Sequence, residues 1–389
     1  MKKNDYLALA FNEAMEKKKT NKDVIDAVVG SLNNEDGKLW VFPIIHQIYK
    51  ELNEKEIFQY NSGVSNKEFL INMEKWIFGD FLKKIKETFA IQEAITPGSS
   101  IGLFMSLFMN KKYPVLNADA TWPAYETMAQ VNEQKYFSYK FLDKKCSFNI
   151  VDFSKKVDSI LKNNDGINII INDPCHNPTG YSLGKEEWEK IIKKLNQFKA
   201  KKINVVIDTA YIEFSKVKEH FLQNLINLNK NVKVYLTYSC SKTFSLYGLR
   251  LGVLFFLSKQ KKESLVLSKY VRGVYSNPPT LPISIINKLF SNPKYYDSYI
   301  SQLEEQRKIL QERSEIFINE ANKIKLQFCE YLGGFFIFIP CKNSFSAYEK
   351  LKKENIFIAP LDTGVRISIG YVSKKEIKGL ASKIKGVIG

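Results

Sequence analysis

The sequence predicts an α/β fold in which a mostly parallel sheet is sandwiched by helices and joined to a smaller α+β domain. Three observations carry that expectation. From about residue 90, short segments rich in Val and Ile alternate with longer helix-like stretches, the rhythm of parallel strands joined by crossover helices. The strand segments are near-continuous apolar runs, as suits a sheet covered on both faces. The chain also has 389 residues, more than one simple core accommodates, so two domains are expected.

Taken in order, the elements begin with MKKNDYLALAFNEAMEKKKT. Asn12, Glu13 and Glu16 interrupt its apolar stretch, which makes a poor signal peptide and a fair amphipathic helix. Buried strands are expected at KKYPVLNA (111–118), GINIIIND (166–173), KINVVIDT (202–209), VKVYLTYS (232–239) and GVLFFLS (252–258). Helical segments lie between them at 123–133, 152–163 and 185–199. After residue 293 the texture changes to a long charged helix over about 294–323, then FFIFIP, a helix at 344–354, VRISIG, and a last helix over SKKEIKGLASKIKGVI. The predicted division is a large domain, 39–305, and a discontinuous small domain, 1–38 with 306–389.

Composition excludes several function classes. Hydrophobic residues make up 44% and charged residues 25%, as in ordinary soluble proteins. No run of about eighteen apolar residues occurs, so no membrane partner is expected. The five cysteines are odd in number, scattered and without a CxxC pair, which suggests neither a disulfide framework nor a metal site and favours a cytoplasmic location. The net charge of +17 invites a nucleic-acid reading, but it comes from 53 lysines against five arginines. In KEEWEKIIKKLNQFKAKK the lysines alternate with glutamates along a helix face, the pattern of a solvated surface. No nucleic-acid partner is expected.

Ligands in open α/β sheets sit beyond the carboxyl ends of the strands, and three successive strand ends carry polar groups here. The first ends in Asn172-Asp173-Pro174-Cys175-His176-Asn177-Pro178-Thr179-Gly180, a sharp turn in which Asn177 can donate a hydrogen bond. The second ends in Asp208-Thr209-Ala210-Tyr211, and the third in Ser239-Cys240-Ser241-Lys242. A carboxylate at a strand end can pair with a protonated ring nitrogen. A lysine flanked by hydroxyl residues and followed by apolar ones is poised to lose its proton and attack aldehydes. Singly, Asp208 reads equally as a helix cap, Asn177 as a turn former and Lys242 as a surface residue; together they are harder to explain so.

The arginines add a separate argument. Arg307 and Arg313 fall on the long charged helix and are expected at the surface. Arg250, Arg272 and Arg366 sit in uncharged contexts, YGLRLG, VRGVYSNPP and GVRISIG. In so lysine-biased a chain, these three positions read as ones that need the guanidinium's fork for carboxylate or phosphate.

With Ala120-Thr121-Trp122-Pro123 and the turn Thr96-Pro97-Gly98-Ser99-Ser100-Ile101-Gly102, these motifs make the chain resemble class I aminotransferases of pyridoxal-phosphate fold type I, in the aspartate and aromatic amino-acid group. The resemblance covers nearly the whole chain. It implies that the cofactor is pyridoxal 5'-phosphate, held as a Schiff base by Lys242, the catalytic residue that also shuttles a proton. Asp208 would pair with the pyridine nitrogen, and Tyr211 and Asn177 with the phenolic oxygen. Arg250, Ser239 and the turn of Gly98, Ser99 and Ser100 would hold the phosphate, and Trp122 would stack on the ring. Ser99 and Ile101 depart from the glycines usual in that turn. Arg366 would grip the substrate α-carboxylate, with Gly30 closing over the substrate beside Trp122 and Asn177. Tyr60 and Arg272 would cross from the neighbouring subunit, Tyr60 to the phosphate and Arg272 to a second carboxylate, which implies a homodimer.

The implied reaction moves an amino group between an L-amino acid, aspartate or aromatic, and a 2-oxo acid, with 2-oxoglutarate as the implied acceptor. Tyr125 and Asn172 stand where aspartate enzymes of the group usually carry histidines, which weakens a strict aspartate label. His176 reads as turn support, and His46 and His220 have no companions for metal or catalysis. Two alternatives stay open: a β-lyase or decarboxylase on the same cofactor, and a basic nucleic-acid-binding or regulatory protein with a retired enzyme fold.

Overall fold

The computed structural model describes residues 6–61, 66–260 and 267–388; the first five residues of the N-terminal segment, and Ser62 and Gly63 beside Tyr60, lie outside them. Among the described residues the strands, in chain order, are β1 (Ile25–Ala27), β2 (Ala90–Thr96), β3 (Val115–Ala118), β4 (Tyr136–Tyr139), β5 (Gly166–Asn172), β6 (Lys202–Asp208), β7 (Val232–Ser239), β8 (Gly252–Ser258), β9 (Phe336–Pro340), β10 (Ile356–Leu361) and β11 (Gly364–Ser368). They form a seven-stranded sheet in the order β2-β8-β7-β6-β5-β3-β4 and a four-stranded sheet in the order β1-β10-β11-β9.

The large sheet is parallel except for β8, which runs antiparallel to both β7 and β2. The segment between β7 and β8 holds only the four-residue helix Cys240–Thr243, so the chain turns back on itself instead of crossing over. The apolar strand runs divide their side chains between two cores. Ile169, Ile171, Val205, Ile207, Val234 and Leu236 pack on one face, and Ile170, Val206 and Tyr235 on the other. Burying each Val, Ile or Leu contributes about 1.5–3 kcal/mol, which is why these segments carry no polar alternation.

The small sheet joins the two ends of the chain: β1 pairs in parallel with β10, Ile25 opposite Ile356. Helices occupy Ala124–Val131, Ile150–Asn163 and Lys185–Leu195, close to the expected spans, and the long helix runs Pro293–Lys323. Three sequence readings are corrected. Strands β1, β2, β4 and β10 were not expected. The final helix is two pieces, Lys374–Ile377 and Leu380–Ile388, because Gly379 adopts a left-handed φ of +80° between them. Arg313 is not a surface residue but wholly buried. Its guanidinium donates to the carbonyls of Asn33 and Gly370 and to the Glu35 carboxylate, tying the long helix to two segments of the small sheet's surroundings. A sequence reading by local charge could not find this, because the partners lie far along the chain.

Candidate active site

Parallel pairing in register sets Asn172 beside Asp208 and Asp208 beside Thr237, so the three polar strand ends open on one cavity of about 520 Å³ between the two sheets. Lys242 enters it from the short helix after β7, whose N-cap is Ser239. The Lys242 Nζ lies 5.7 Å from the ring centroid of Tyr211 and 6.0 Å from that of Tyr247. Burial drives its pKa down to about 8; the Asp208 carboxylate opposes this shift and the Arg250 cation adds to it.

Asp208 is held at both oxygens. Tyr125 Oη donates to Oδ2 at 2.6 Å, and the Ala210 N–H donates to Oδ1 at 3.1 Å. Burial raises the pKa of this carboxyl, against the lowering effects of Tyr125, the Lys242 cation and Ala210. The adjacent turn is set by Asn172, whose Nδ2 donates to the Asp208 carbonyl at 2.8 Å and whose Oδ1 accepts the Asn177 N–H at 2.7 Å.

Across the cavity, Arg366 projects from β11. Its Nη1 donates to Asn177 Oδ1 at 2.9 Å, its Nη2 donates to the Val28 carbonyl, and its guanidinium lies 4.2 Å from the Phe336 ring centroid. Burial lowers its pKa to about 10, so it stays a cation at neutral pH. Its Nε is buried without a partner, a donor whose hydrogen bond is left unmade.

At the remaining end, Gly98 caps the helix Ser99–Phe108 with a φ of +74°. A Cβ at Gly98 would sit 2.3 Å from Arg250 Nη2, so the bare backbone and this guanidinium form a cradle. Ser99 takes a helical conformation, and the turn needs glycine only at Gly98 and at Gly252, where a Cβ would meet the Ser99 nitrogen at 2.7 Å. Free N–H groups at a helix start, beside an arginine, suit a phosphate.

The residues fit a phosphorylated pyridine aldehyde. The Gly98–Arg250 cradle matches its phosphate, the desolvated Asp208 matches a protonated ring nitrogen, and the Lys242 amine matches its carbonyl carbon. The cavity lining brings together Lys242, Asp208, Tyr211, Asn177, Arg250, Ser239, Ser99, Ser100, Trp122, Gly30 and Arg366. Two expected residues stand apart in this chain: Tyr60 is 83% exposed, and Arg272 is exposed with Nη1 on Ser276 Oγ at 3.0 Å. His176 is buried, donor or acceptor to Thr179 Oγ1 and stacked on Phe141, and burial pushes its pKa to about 3; it supports the turn. Sequence reasoning missed the apolar part of the wall, Leu7, Ala8 and Phe11 of the helix Tyr6–Thr20 with Val28, Val29 and Phe336. The available signal was the apolar face Leu7, Ala10, Phe11 and Ala14 at i, i+3, i+4 and i+7, whose edge borders the cavity. Among the described residues no group of acidic, Cys or His side chains could hold a metal ion, and no helix is long and apolar enough to cross a membrane.

The family described as aminotransferase class I and II matches residues 22–384. The mitochondrial aspartate aminotransferase of Saccharomyces cerevisiae is 24% identical over 420 residues, covering 95% of this chain and 90% of that protein. The crystal structure of an aminotransferase from Anaerococcus prevotii superposes with a TM-score of 0.92 at 27% identity, over 99% of this chain and 96% of that one. An aromatic-amino-acid aminotransferase from Burkholderia pseudomallei, covalently bound to pyridoxal phosphate, superposes with a TM-score of 0.81 at 22% identity, over 98% and 96%.

Proposed function

This chain belongs to the class I and II aminotransferase family and is a pyridoxal-phosphate-dependent aminotransferase; from that premise we propose which residues do the work and on what. The cofactor, when bound, supplies an aldehyde to receive the amino group and a ring to accept electrons from the substrate's Cα. Lys242 would hold it covalently, Asp208 would keep its ring nitrogen protonated, and Tyr211 and Asn177 would bond its phenolic oxygen. Ser239, Gly98, Ser99, Ser100 and Arg250 would bind its phosphate, with Trp122 against its ring.

For the substrate, Arg366 binds the α-carboxylate through its fork, and Phe336 below the guanidinium and Asn177 beside it fix the fork's plane. That orientation presents the substrate's Cα–H to Lys242 Nζ. With a pKa of about 8, about a tenth of these amines are neutral at pH 7 and able to take that proton. Gly30 lets the backbone pass close to Phe336 and Tyr211, since a Cβ there would meet Phe336 at 3.2 Å and the Tyr211 hydroxyl at 3.5 Å. The amino donor would be aspartate or an aromatic amino acid and the acceptor 2-oxoglutarate, with Arg272 of a partner subunit reading the second carboxylate. The exposure of Tyr60 and Arg272 supports a homodimer that brings them to the neighbouring site. The separation of the two sheets supports domains of 39–305 and 1–38 with 306–389, and five free cysteines support a cytoplasmic location.

The observation that carries this reading is that the Lys242 amine, the Asp208 carboxylate and the Arg366 fork open on one cavity. Borohydride reduction of the cofactor-loaded protein, followed by peptide mapping, is expected to find a pyridoxyl group on Lys242. A label on any other lysine overturns the assignment. Glutamate should shift the visible absorption band, and release of ammonia or carbon dioxide without a 2-oxo acid acceptor would replace transamination with another chemistry.

A further inference from the structure

Cys146 and Cys329 are distant in sequence, yet their thiols are hydrogen-bonded to each other. Cys146 sits in the turn between Leu142 and Phe148, which pair across it, just ahead of the helix Ile150–Asn163. Its φ is +60°, and its N–H donates to the Asp143 carbonyl at 3.2 Å. Cys329 follows the long helix; it is wholly buried, and its N–H donates to the Phe338 carbonyl of β9 at 2.9 Å. Tyr181 touches both segments. Its hydroxyl accepts the Phe148 N–H at 3.4 Å, and Glu330, next to Cys329, is close enough to act on that hydroxyl.

The two thiols are unequal. Cys146 is partly exposed, and the hydrogen bond from Cys329 lowers its pKa against the opposing effects of burial and the Asp143 charge. The same bond, together with burial, raises the pKa of Cys329. Burial raises those of Cys175, Cys240 and Cys341. A thiolate open to solvent with a protonated thiol beside it supplies an attacking sulfur and a resolving one, the arrangement of a redox-sensitive pair.

The pair also sits where the two sheets meet at the substrate grip. Ahead of the Cys146 turn, Phe141 stacks on His176 at 4.1 Å, next to Asn177. On the other side, Phe338 lies opposite Arg366 in the ladder of β9 and β11. Arg366 and Asn177 bond each other at 2.9 Å. A bond between the two sulfurs would add a covalent tie across the same junction.

We propose that Cys146 and Cys329 are an oxidation site, closed to a disulfide by a low-molecular-weight disulfide, and that the bond slows transamination by fixing Arg366 against Asn177. The Cys146 thiolate attacks one sulfur of the oxidant RSSR, forming a mixed disulfide and expelling RS⁻, which takes up a proton. Cys329 then loses its proton and attacks the Cys146 sulfur, expelling the second RS⁻. In sum the protein gives up two protons and two electrons, and RSSR becomes two RSH. The site lies outside the cofactor cavity. Its chemistry does not depend on the aminotransferase reading; only its effect on rate does.

In the test, cofactor-loaded protein is fully reduced, desalted, treated with oxidised glutathione and digested without reductant for peptide mapping. A peptide joining Cys146 to Cys329 is expected, with Cys175 and Cys240 still reduced. The kcat/KM for the amino donor should fall at least about five-fold, the low end of coupling between separate sites, and dithiothreitol should restore it. Cys329→Ala should stop at a glutathione adduct on Cys146, and Cys146→Ser should form neither adduct nor bond; both should keep the activity of the reduced wild type. Absence of the joined peptide, or a bond between other cysteines, overturns the proposal. So does a crosslinked protein as active as the reduced one, or an inhibition that persists in Cys146→Ser. The joined peptide is read without turnover, so this site and the aminotransferase reading fail separately.

Discussion

Asp208 and Arg366 face the same cavity but are held by different means. Asp208 sits at the end of a strand with a hydrogen-bonded strand on either side, and its carboxylate is fixed by Tyr125 and Ala210. Arg366 also has a hydrogen-bonded strand on either side, but its side-chain partners Val28 and Asn177 lie just after β1 and on a turn of the other sheet. The groups proposed for proton and electron chemistry are thus fastened to one rigid sheet, while those proposed for substrate recognition span two. The arrangement separates a constant reaction from an adjustable grip: shifting the small sheet would alter how substrate is held without disturbing Lys242 and Asp208.

The largest effect is expected at the rigid end. Lys242→Ala should abolish turnover, since loss of the proton-transferring amine alone costs about 10²–10⁴-fold and loss of the covalent attachment adds to it. A variant with wild-type kcat would break the assignment. At the adjustable end, Arg366→Lys should act on the grip. Lysine keeps the charge but not the fork, and each lost charge-assisted hydrogen bond costs about 1.5–3 kcal/mol. We expect kcat/KM to fall about 10- to 100-fold for every amino acid, with the absorption spectrum of the bound cofactor unchanged. A changed spectrum would show that the two ends are not independent.

How far these ends could be read from the sequence follows the same division. Asp208, Asn177 and Lys242 were legible because strand ends are local: an apolar run stops and polar residues follow. Arg366 was legible because an arginine is conspicuous among 53 lysines. The same reasoning failed for Arg313, whose neighbours on the long helix are charged but whose side chain points into carbonyls supplied by residues 33 and 370. It also missed the wall made by Leu7 and Phe11, because they belong to the same apolar face as the buried Ala10 and Ala14, and that face reads locally as core packing. Strand β10 was overlooked because its partners come from residues 25–27 and 364–366, a pairing that nothing in IFIAPL announces.

Tyr125 sharpens the account of the rigid end. It is the side-chain donor to Asp208 Oδ2, and burial together with the Asp208 charge keeps its phenol protonated well above its ordinary range. It therefore donates throughout the working pH range and cannot switch off by titrating. Removing the donor in Tyr125→Phe leaves the carboxylate anion less stabilised, so its already raised pKa moves higher still. The acid limb of the kcat/KM profile should move to higher pH, and cofactor affinity should weaken by about ten-fold or more. Tyr125→His, whose neutral imidazole keeps one N–H donor, should recover part of that affinity. Identical profiles in wild type and Tyr125→Phe would remove Tyr125 from this role.

The smallest effect is on stability, and its sign is fixed by linkage. In the cofactor-free protein Lys242 has a pKa of about 8 folded, against 10.5 as the ordinary value. A lysine depressed by folding binds protons more weakly in the folded state, so below about pH 8 its buried charge costs stability. As pH rises from about 8 toward 10.5, the folded amine is neutral while the unfolded one is still charged. Unfolding then takes up a proton, and stability climbs with pH. Above 10.5 both forms are neutral and the penalty is gone. Lys242→Met, which fills similar space without charge, should therefore raise the thermal midpoint of the cofactor-free protein most at pH 7 and progressively less toward pH 10.5. A gain that does not change with pH would mean that the amine reaches solvent well enough to keep its ordinary pKa, and the neutral nucleophile proposed for this site would then have to be made by the bound cofactor instead of by the fold.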